Sequence, residues 1–134
     1  MITFGMASLE EIHQINRIAQ KEQGIEYPFS ALYMVCRKAG ELSGYCVIRI
    51  HPSYAELMDA VLLVEDSDDA LKTVLIKSAL NAIDLAGTKE VLCKNSGMEE
   101  ILKKLEFQNS GSGVYTLQLE GYFQPCSCKK KETL

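Results

Sequence analysis

Apolar and polar positions alternate along this chain with two different periods, the two-residue period of strands and the wider spacing of amphipathic helices. The two patterns are interspersed from the first residues to about residue 119, which favours one α/β or α+β domain built on a mixed sheet. Strands are predicted at residues 2–6, 32–37, 43–50, 54–64, 88–93 and 114–119, and helices at 9–23, 70–86 and 98–105.

The helix boundaries carry their own signals. Ser8 and Glu11 have the spacing of a capping box at the start of the first helix, and Gly24 supplies its stop. The second helix ends at Gly87. We expect this helix to turn an apolar face toward the core, with Leu80 as an exception on its polar side. The expected inward positions are Leu71, Val74, Leu75, Ala79, Ala82 and Leu85.

Composition limits the function further. The chain has 134 residues, 47% of them hydrophobic, and a formal charge of −4, so it suits one globular domain. We expect this domain at residues 1–120 and a polar C-terminal tail at 121–134. The acidic balance disfavours nucleic acid and anionic membrane surfaces as partners. With no secretory signal and no apolar span, we expect a cytoplasmic protein with reduced cysteines.

The most informative stretch is an apolar strand that runs directly into an acidic turn and then a helix. A helix start concentrates free N–H groups and positive dipole, the arrangement that nucleotide-type cofactors use for their phosphates. In this chain the turn carries Glu65, Asp66, Asp68 and Asp69. These side chains can cap the helix, and they lie at the position where a diphosphate would bind.

The order of elements resembles the GNAT superfamily of N-acetyltransferases over about residues 2–119. The specific stretches are Tyr54-Ala-Glu-Leu through Val64 into the helix at Ala70, then Val91-Leu-Cys-Lys-Asn, then Ile101-Leu-Lys-Lys-Leu-Glu-Phe. The last looks like the closing Leu-Tyr-x-Lys-Leu-Gly-Phe pattern of the family. The resemblance implies a single domain with a mixed, mostly antiparallel central sheet flanked by helices.

The resemblance also implies a cofactor, acetyl-coenzyme A, and a small amine as substrate. The pantetheine arm of the cofactor would lie along the strand backbone of Leu62, Leu63 and Val64. Ala70 and Asn95 complete the cofactor-binding residues that the resemblance implies. Glu56 sits where some family members place a general base on the central strand. A partly buried structural glutamate is the alternative for Glu56.

Three departures from the family pattern bear on activity. The Gln/Arg-x-x-Gly-x-Gly/Ala turn of the family is replaced by Glu65 to Ala70, without its glycines or its basic residue. The tyrosine that often protonates the coenzyme A thiolate falls on Leu102, and the glycine before the phenylalanine is Glu106. Acetyl-coenzyme A is therefore a doubtful ligand.

Three hypotheses follow. The first is an acyl-coenzyme A dependent N-acyltransferase on a small amine. The second is a non-catalytic binding or dimerisation module, for which a homodimer is one arrangement. The third is a thiol- or metal-responsive protein that uses Cys126 and Cys128, although two thiolates alone make an incomplete site and no metal ligand set is predicted. Cys36, Cys46 and Cys93 lie in apolar strands and are expected in the core, and His13 and His51 are expected to be structural or surface residues.

Overall fold

The computed structural model describes residues 1–28, 30–63 and 69–123. The strands are β1 (Ile2–Met6), β2 (Leu32–Lys38), β3 (Glu41–Ile50), β4 (Ala55–Leu62), β5 (Glu90–Cys93), β6 (Gln108–Asn109) and β7 (Tyr115–Gln118). The helices are α1 (Leu9–Gln23), α2 (Asp69–Leu85) and α3 (Glu99–Lys104), and a turn of 3-10 helix, Ser96–Met98, leads into α3. Within the described ranges, no helix is both long and apolar enough to cross a bilayer.

All seven strands belong to one sheet, in the order β1-β2-β3-β4-β5-β7-β6. Every neighbouring pair is antiparallel except β4 and β5, which run parallel. The parallel pairing covers only two residue pairs, Ala55 with Val91 and Glu56 with Leu92. The predicted fold class, a mixed and mostly antiparallel sheet flanked by helices, is confirmed.

Each face of the sheet has its own hydrophobic core. On one face, α2 and α3 cover the larger core, which contains the buried thiols Cys36, Cys46 and Cys93. On the other face, Ile15 and Ala19 of α1 pack in a smaller core with three tyrosines. The expected place of the strand cysteines is confirmed, and the sheet is buried on both sides along its centre.

The predicted boundaries of α1 are confirmed at both ends. The Ser8 hydroxyl accepts a hydrogen bond from the Glu11 amide at 3.2 Å, and the Glu11 carboxylate accepts one from the Ser8 amide at 2.9 Å. This is a complete capping box. At the other end Gly24 has a φ of 66°, the left-handed conformation that glycine adopts without strain.

The expected orientation of α2 is partly wrong. Leu80 is fully buried, whereas Val74 and Leu85, which were expected to face inward, are exposed. Because α2 lies across strands β1 to β4, packing on the sheet determines which side of the helix is buried. The buried side chains form a stripe that is rotated about the helix axis from the predicted apolar face. The buried positions are Leu75, Ile76, Ala79, Leu80 and Ile83.

The sequence analysis missed the short strand β6. Gln108 and Asn109 pair with Thr116 and Tyr115 of β7, at the start of a segment that was expected to be only a turn. The Asn109 side chain accepts a hydrogen bond from the Gly111 amide at 2.8 Å, which forms the tight connection between the two strands. Two residues are too few for the alternation that identifies a strand.

Candidate functional site between β4 and β5

An opening forms where the two parallel strands diverge. β4 and β5 pair only at the Ala55 and Glu56 level, and β4 then continues for six more residues to Leu62 while β5 ends at Cys93. Beyond Glu56, the backbone of β4 therefore pairs with no strand on that side within the described part of the chain. We call this space the β4–β5 notch, bounded by residues 57–62 and 93–97.

A β-bulge shapes the side of the notch formed by β4. Val47 of β3 pairs with Asp59, and the next residue, Ile48, pairs with Leu57, so Met58 is an extra residue in β4. Met58 packs against the core beneath α1, and the Asp59 carboxylate also reaches that side of the sheet. A bulge redirects side chains in this way, and bulges are frequent beside functional sites.

Asn95 spans the notch. Its Nδ2 donates to the carbonyl oxygen of Met58 and to Oδ1 of Asp59, both at 3.3 Å. Its Oδ1 accepts from the Gly97 amide at 2.9 Å, which caps the 3-10 turn. Asp59 Oδ1 also accepts from the Ala60 amide at 2.9 Å. A carbonyl and an amide of β4 at the notch are thus bonded to side chains of the chain itself.

The same carboxylate anchors a buried group of aromatic residues, the tyrosine–aspartate cluster. Tyr27 donates its hydroxyl to Asp59 Oδ2 at 2.9 Å, and its ring makes edge contacts with Tyr33 and Tyr45 at centroid separations of 6.1 and 6.4 Å. Asn16 of α1 donates to the Tyr33 hydroxyl at 3.2 Å. Within the described residues, the buried Tyr45 hydroxyl has no hydrogen-bond partner.

The protonation of this cluster follows from its burial. Burial raises the pKa of Tyr27, and the negative charge of Asp59 raises it further, so Tyr27 remains a hydrogen-bond donor. Burial likewise raises the pKa of Tyr45. The sequence analysis missed this cluster. The signal that could have revealed it is Asp59 itself, a charged residue whose neighbours from Leu57 to Leu62 are all apolar.

Glu56, the predicted general base, lies at the last level where β4 and β5 still pair. Its side chain is partly buried, and its Oε1 lies 3.5 Å from Nε2 of His51. The His51 ring stacks on Tyr54 with centroids 4.3 Å apart. At 3.5 Å the carboxylate and the imidazole are within ion-pair distance but beyond a normal hydrogen bond, so the His51 nitrogen stays unbonded within the described residues. The structure therefore places a carboxylate and an imidazole together beside the notch.

The remaining predicted cofactor residues lie near the far end of β4. Leu62 packs against the larger core, and the Leu63 amide donates to the Ser43 carbonyl of β3 at 2.8 Å. Leu63 therefore directs its amide to β3 and away from the notch. Ala70 is exposed in the first turn of α2. Val64 lies outside the described residues, as do residues 65–68 of the acidic turn.

A cavity of about 270 Å³ lies beside the start of α2, lined by Asp69 and Lys72 of that helix and by residues 96–101. It has the negative residues Glu99 and Glu100 on its other side. Asp69 is within 3.4 Å of the Lys104 ammonium. Among the described residues that line this cavity, three are acidic and one is basic. The charged residues that line this cavity are thus mainly carboxylates, from α2 and α3.

The described residues contain no group of three or more His, Cys, Asp or Glu side chains that could hold a metal ion. Cys126 and Cys128 lie outside the described residues. Burial raises the pKa of the Cys36, Cys46 and Cys93 thiols, so these three groups remain protonated near neutral pH.

Comparison with known proteins finds similarity in structure but not in sequence. The chain matches no protein-family profile and no curated protein. Among solved structures, the IAA acetyltransferase of Bacillus cereus superposes with a TM-score of 0.73 at 12% identity, covering 89% of this chain and 100% of that one. The PaiA N-acetyltransferase of Thermoplasma acidophilum, solved with coenzyme A, gives 0.69 at 15% identity, covering 88% and 99%. An N-acetyltransferase of Staphylococcus aureus gives 0.65 at 11% identity, covering 90% and 99%. The chain therefore has the GNAT acetyltransferase fold.

Proposed function

We propose that this GNAT-fold chain is a non-catalytic binding module whose coenzyme A groove is filled by its own side chains. The observation that carries the proposal is the Asn95 bridge across the β4–β5 notch, which bonds the Met58 carbonyl and the Asp59 carboxylate. A pantetheine arm in this notch would have to displace an amide that already satisfies partly buried polar groups. Breaking such bonds without replacing them costs about 1–3 kcal/mol for each group left unpaired.

Electrostatics at the start of α2 support the same proposal. The sequence places Glu65, Asp66, Asp68 and Asp69 there, and the fold adds carboxylates from α3 beside Asp69. Two like charges about 4 Å apart repel by about 1 kcal/mol in water and about 4 kcal/mol near a protein surface. A few such contacts around a diphosphate would lower affinity by roughly two or more powers of ten.

The proton donor expected of an acetyltransferase is also missing at its aligned position. Leu102 is fully buried in the larger core, where its side chain packs and has no proton to donate. A tyrosine hydroxyl at this position would lie among apolar side chains. The residue that replaces the tyrosine therefore serves the stability of α3 packing.

A second candidate function is the acyl-coenzyme A dependent N-acyltransferase acting on a small amine. Two observations favour it: the strands still diverge, and Glu56 lies 3.5 Å from His51 beside the divergence. The three solved neighbours named above are called acetyltransferases, and one of these three was solved with coenzyme A. For this function Asn95 would have to rotate out of the notch when the cofactor enters.

Calorimetric titration with acetyl-coenzyme A at moderate salt separates the two candidates. The non-catalytic proposal expects no saturable heat at concentrations up to about 1 mM. A dissociation constant in the low micromolar range would overturn it and support the acyltransferase.

A charge variant identifies the obstacle. Asp68→Gly combined with Asp69→Arg removes two carboxylates, adds a cation and should allow measurable binding of acetyl-coenzyme A, at a cost in helix stability of about 0.5–2 kcal/mol. The matched control is Glu106→Gln with Glu120→Arg, which makes the same change in net charge at exposed positions in a different cavity. Equal binding by both variants would show that net charge, and not the start of α2, controls affinity.

A further inference from the structure

Strand β1 forms one edge of the sheet, and among the described residues it pairs only with β2. Its sequence, Ile-Thr-Phe-Gly-Met, contains no charged residue and no proline. Edge strands of soluble proteins are usually protected by charges, proline, bulges or very short length, because their free backbone groups can pair with another strand. A regular, uncharged edge of five residues is therefore suited to strand pairing.

The direction of the free backbone groups follows from two hydrogen bonds that flank the strand. The Ala7 amide donates to the Tyr33 carbonyl at 3.0 Å, and the Met1 carbonyl accepts from the Ala39 amide at 3.2 Å. In an antiparallel ladder, alternate residues bond to the same neighbour. The odd residues of β1 thus face β2, and residues 2, 4 and 6 direct their amides and carbonyls to the open edge.

The side chains along this edge are also exposed. Ile2 is 42% exposed and Met6 is 49% exposed, and Leu9, in the first turn of α1, is 71% exposed. Phe4, between them, packs partly against the larger core. On the other face, the Arg37 guanidinium donates to the Met6 carbonyl at 3.0 Å, which leaves that oxygen a second lone pair for an incoming amide.

We propose that β1 pairs antiparallel with β1 of a second copy of this chain, with the two-fold axis at Phe4. In this register Phe4 lies opposite Phe4 of the other copy and Ile2 lies opposite Met6. Because all three residues direct both backbone groups outward, this register can form six hydrogen bonds between the copies. Each sheet would continue into the other.

Charge and size both fit a second copy. Lys38 of β2 lies opposite Ile2 at one end of β1, and Glu10 follows the other end of β1 in α1. Neither side chain has an ion-pair partner among the described residues. An antiparallel arrangement brings Lys38 of one copy to the end that carries Glu10 of the other. Two five-residue strands bury less than the about 800 Å² per partner of a stable interface, so we expect a dimer with a micromolar dissociation constant.

This inference names the partner for the proposed binding role and rests on that role for its biological meaning, while the pairing itself depends only on the exposed edge of β1.

The test is sedimentation velocity of the full chain from about 1 to about 200 µM, with a concentration-dependent dimer expected. Ile2→Lys with Met6→Lys should raise the dissociation constant at least about tenfold, because lysines protect an edge strand. The matched control, Gln108→Lys with Gln118→Lys, adds the same charge at exposed positions on β6 and β7, at the opposite side of the sheet, and should dimerise like the parent.

Amide hydrogen exchange of the unmodified chain tests the register without any substitution. The amides of Ile2, Phe4 and Met6 should exchange slowly only at high concentration, while those of Thr3 and Gly5 should be protected at all concentrations. A chain that stays monomeric to about 200 µM would overturn the proposal. So would a dimer that persists in the lysine variant or leaves the three amides unprotected. Coenzyme A binding is measured separately, so failure of the dimer is distinguishable from failure of the proposed function.

Discussion

Replacing Asn95 by alanine is the most direct test of the bridge across the β4–β5 notch. The side chain makes three hydrogen bonds, two across the notch to the Met58 carbonyl and the Asp59 carboxylate and one to the Gly97 amide. Alanine removes all three and leaves a small space. Met58 and Asp59 then lose a donor, while the 3-10 turn before α3 loses its cap.

The structure gives the expected size of the effect. A hydrogen bond between neutral groups contributes about 0.5–1.5 kcal/mol and one to a charged group about 1.5–3 kcal/mol. Both bonds across the notch are long, at 3.3 Å, so we take the lower part of each range, about 2 kcal/mol together. Loss of the cap adds about 1 kcal/mol. The total, about 3 kcal/mol, is large against the 5–15 kcal/mol stability typical of a domain.

Asn109→Ala is the matched control. Asn109 also accepts from the amide two residues later, at 2.8 Å to Gly111, but it is the exposed last residue of β6 and makes no described bond across the notch. Urea denaturation should therefore show that Asn95→Ala lowers the free energy of unfolding by about 2 kcal/mol more than Asn109→Ala. In melting temperature the difference should be roughly 6–10 °C. If the two variants agree within about 0.5 kcal/mol, the bonds across the notch do not stabilise the fold, and the main support for a filled groove is lost.

The remaining predictions concern an ion pair and the C-terminal segment. Arg37 bonds to both carboxylate oxygens of Glu11 at 2.7 Å and is the largest cause that lowers the pKa of Glu11 from its ordinary value near 4.5 to about 2. A lowered carboxyl pKa stabilises the fold above the unfolded value, so Glu11→Gln, which can still form the capping box, should cost about 1 kcal/mol at pH 7 after solvent screening, and the difference should vanish as the pH falls from about 4.5 to 2 in urea titrations. A constant difference across that range would contradict this reasoning. Removing everything after Tyr122, whose hydroxyl donates to the Leu105 carbonyl at 3.0 Å, should change the melting temperature by less than about 2 °C, and the intact chain should purify without metal. A stoichiometric metal together with a large loss of stability would instead support a structural role for the C-terminal cysteines.

Local signals were enough to predict most element boundaries. The capping box at Ser8 marks the start of α1, and the left-handed Gly24 marks its end. Both signals involve only residues within a few positions of the helix end. The buried face of α2 was predicted less well, because which side of a helix is buried depends on the strands against which it packs. The helical periodicity of α2 placed Leu80 on its polar side. In the structure α2 packs on four strands, and Leu80 is buried.

The candidate site was predicted only in part, because its contacts join distant parts of the sequence. Asn95 was expected to bind a cofactor, and it lies at the notch, but its partners Met58 and Asp59 are 37 and 36 residues away. Tyr27 reaches Asp59 across 32 residues. Periodicity describes neighbours within a few turns, so neither link was visible in the pattern. The point where two parallel strands stop pairing has no local signature either.

Asp59 suggests why the notch can be filled without loss of stability. The Asp59 carboxylate is partly buried in a strand between two cores and needs donors, since removing a charge from water without hydrogen bonds is destabilising. This chain supplies three, from Tyr27, Asn95 and the Ala60 amide. The same bonds tie the segment after α1 and the segment after β5 to the bulge in β4. If these side chains fill the cofactor groove as proposed, adding acetyl-coenzyme A should leave the melting temperature unchanged, whereas a ligand at one hundred times its dissociation constant would stabilise the folded state by about 2.7 kcal/mol.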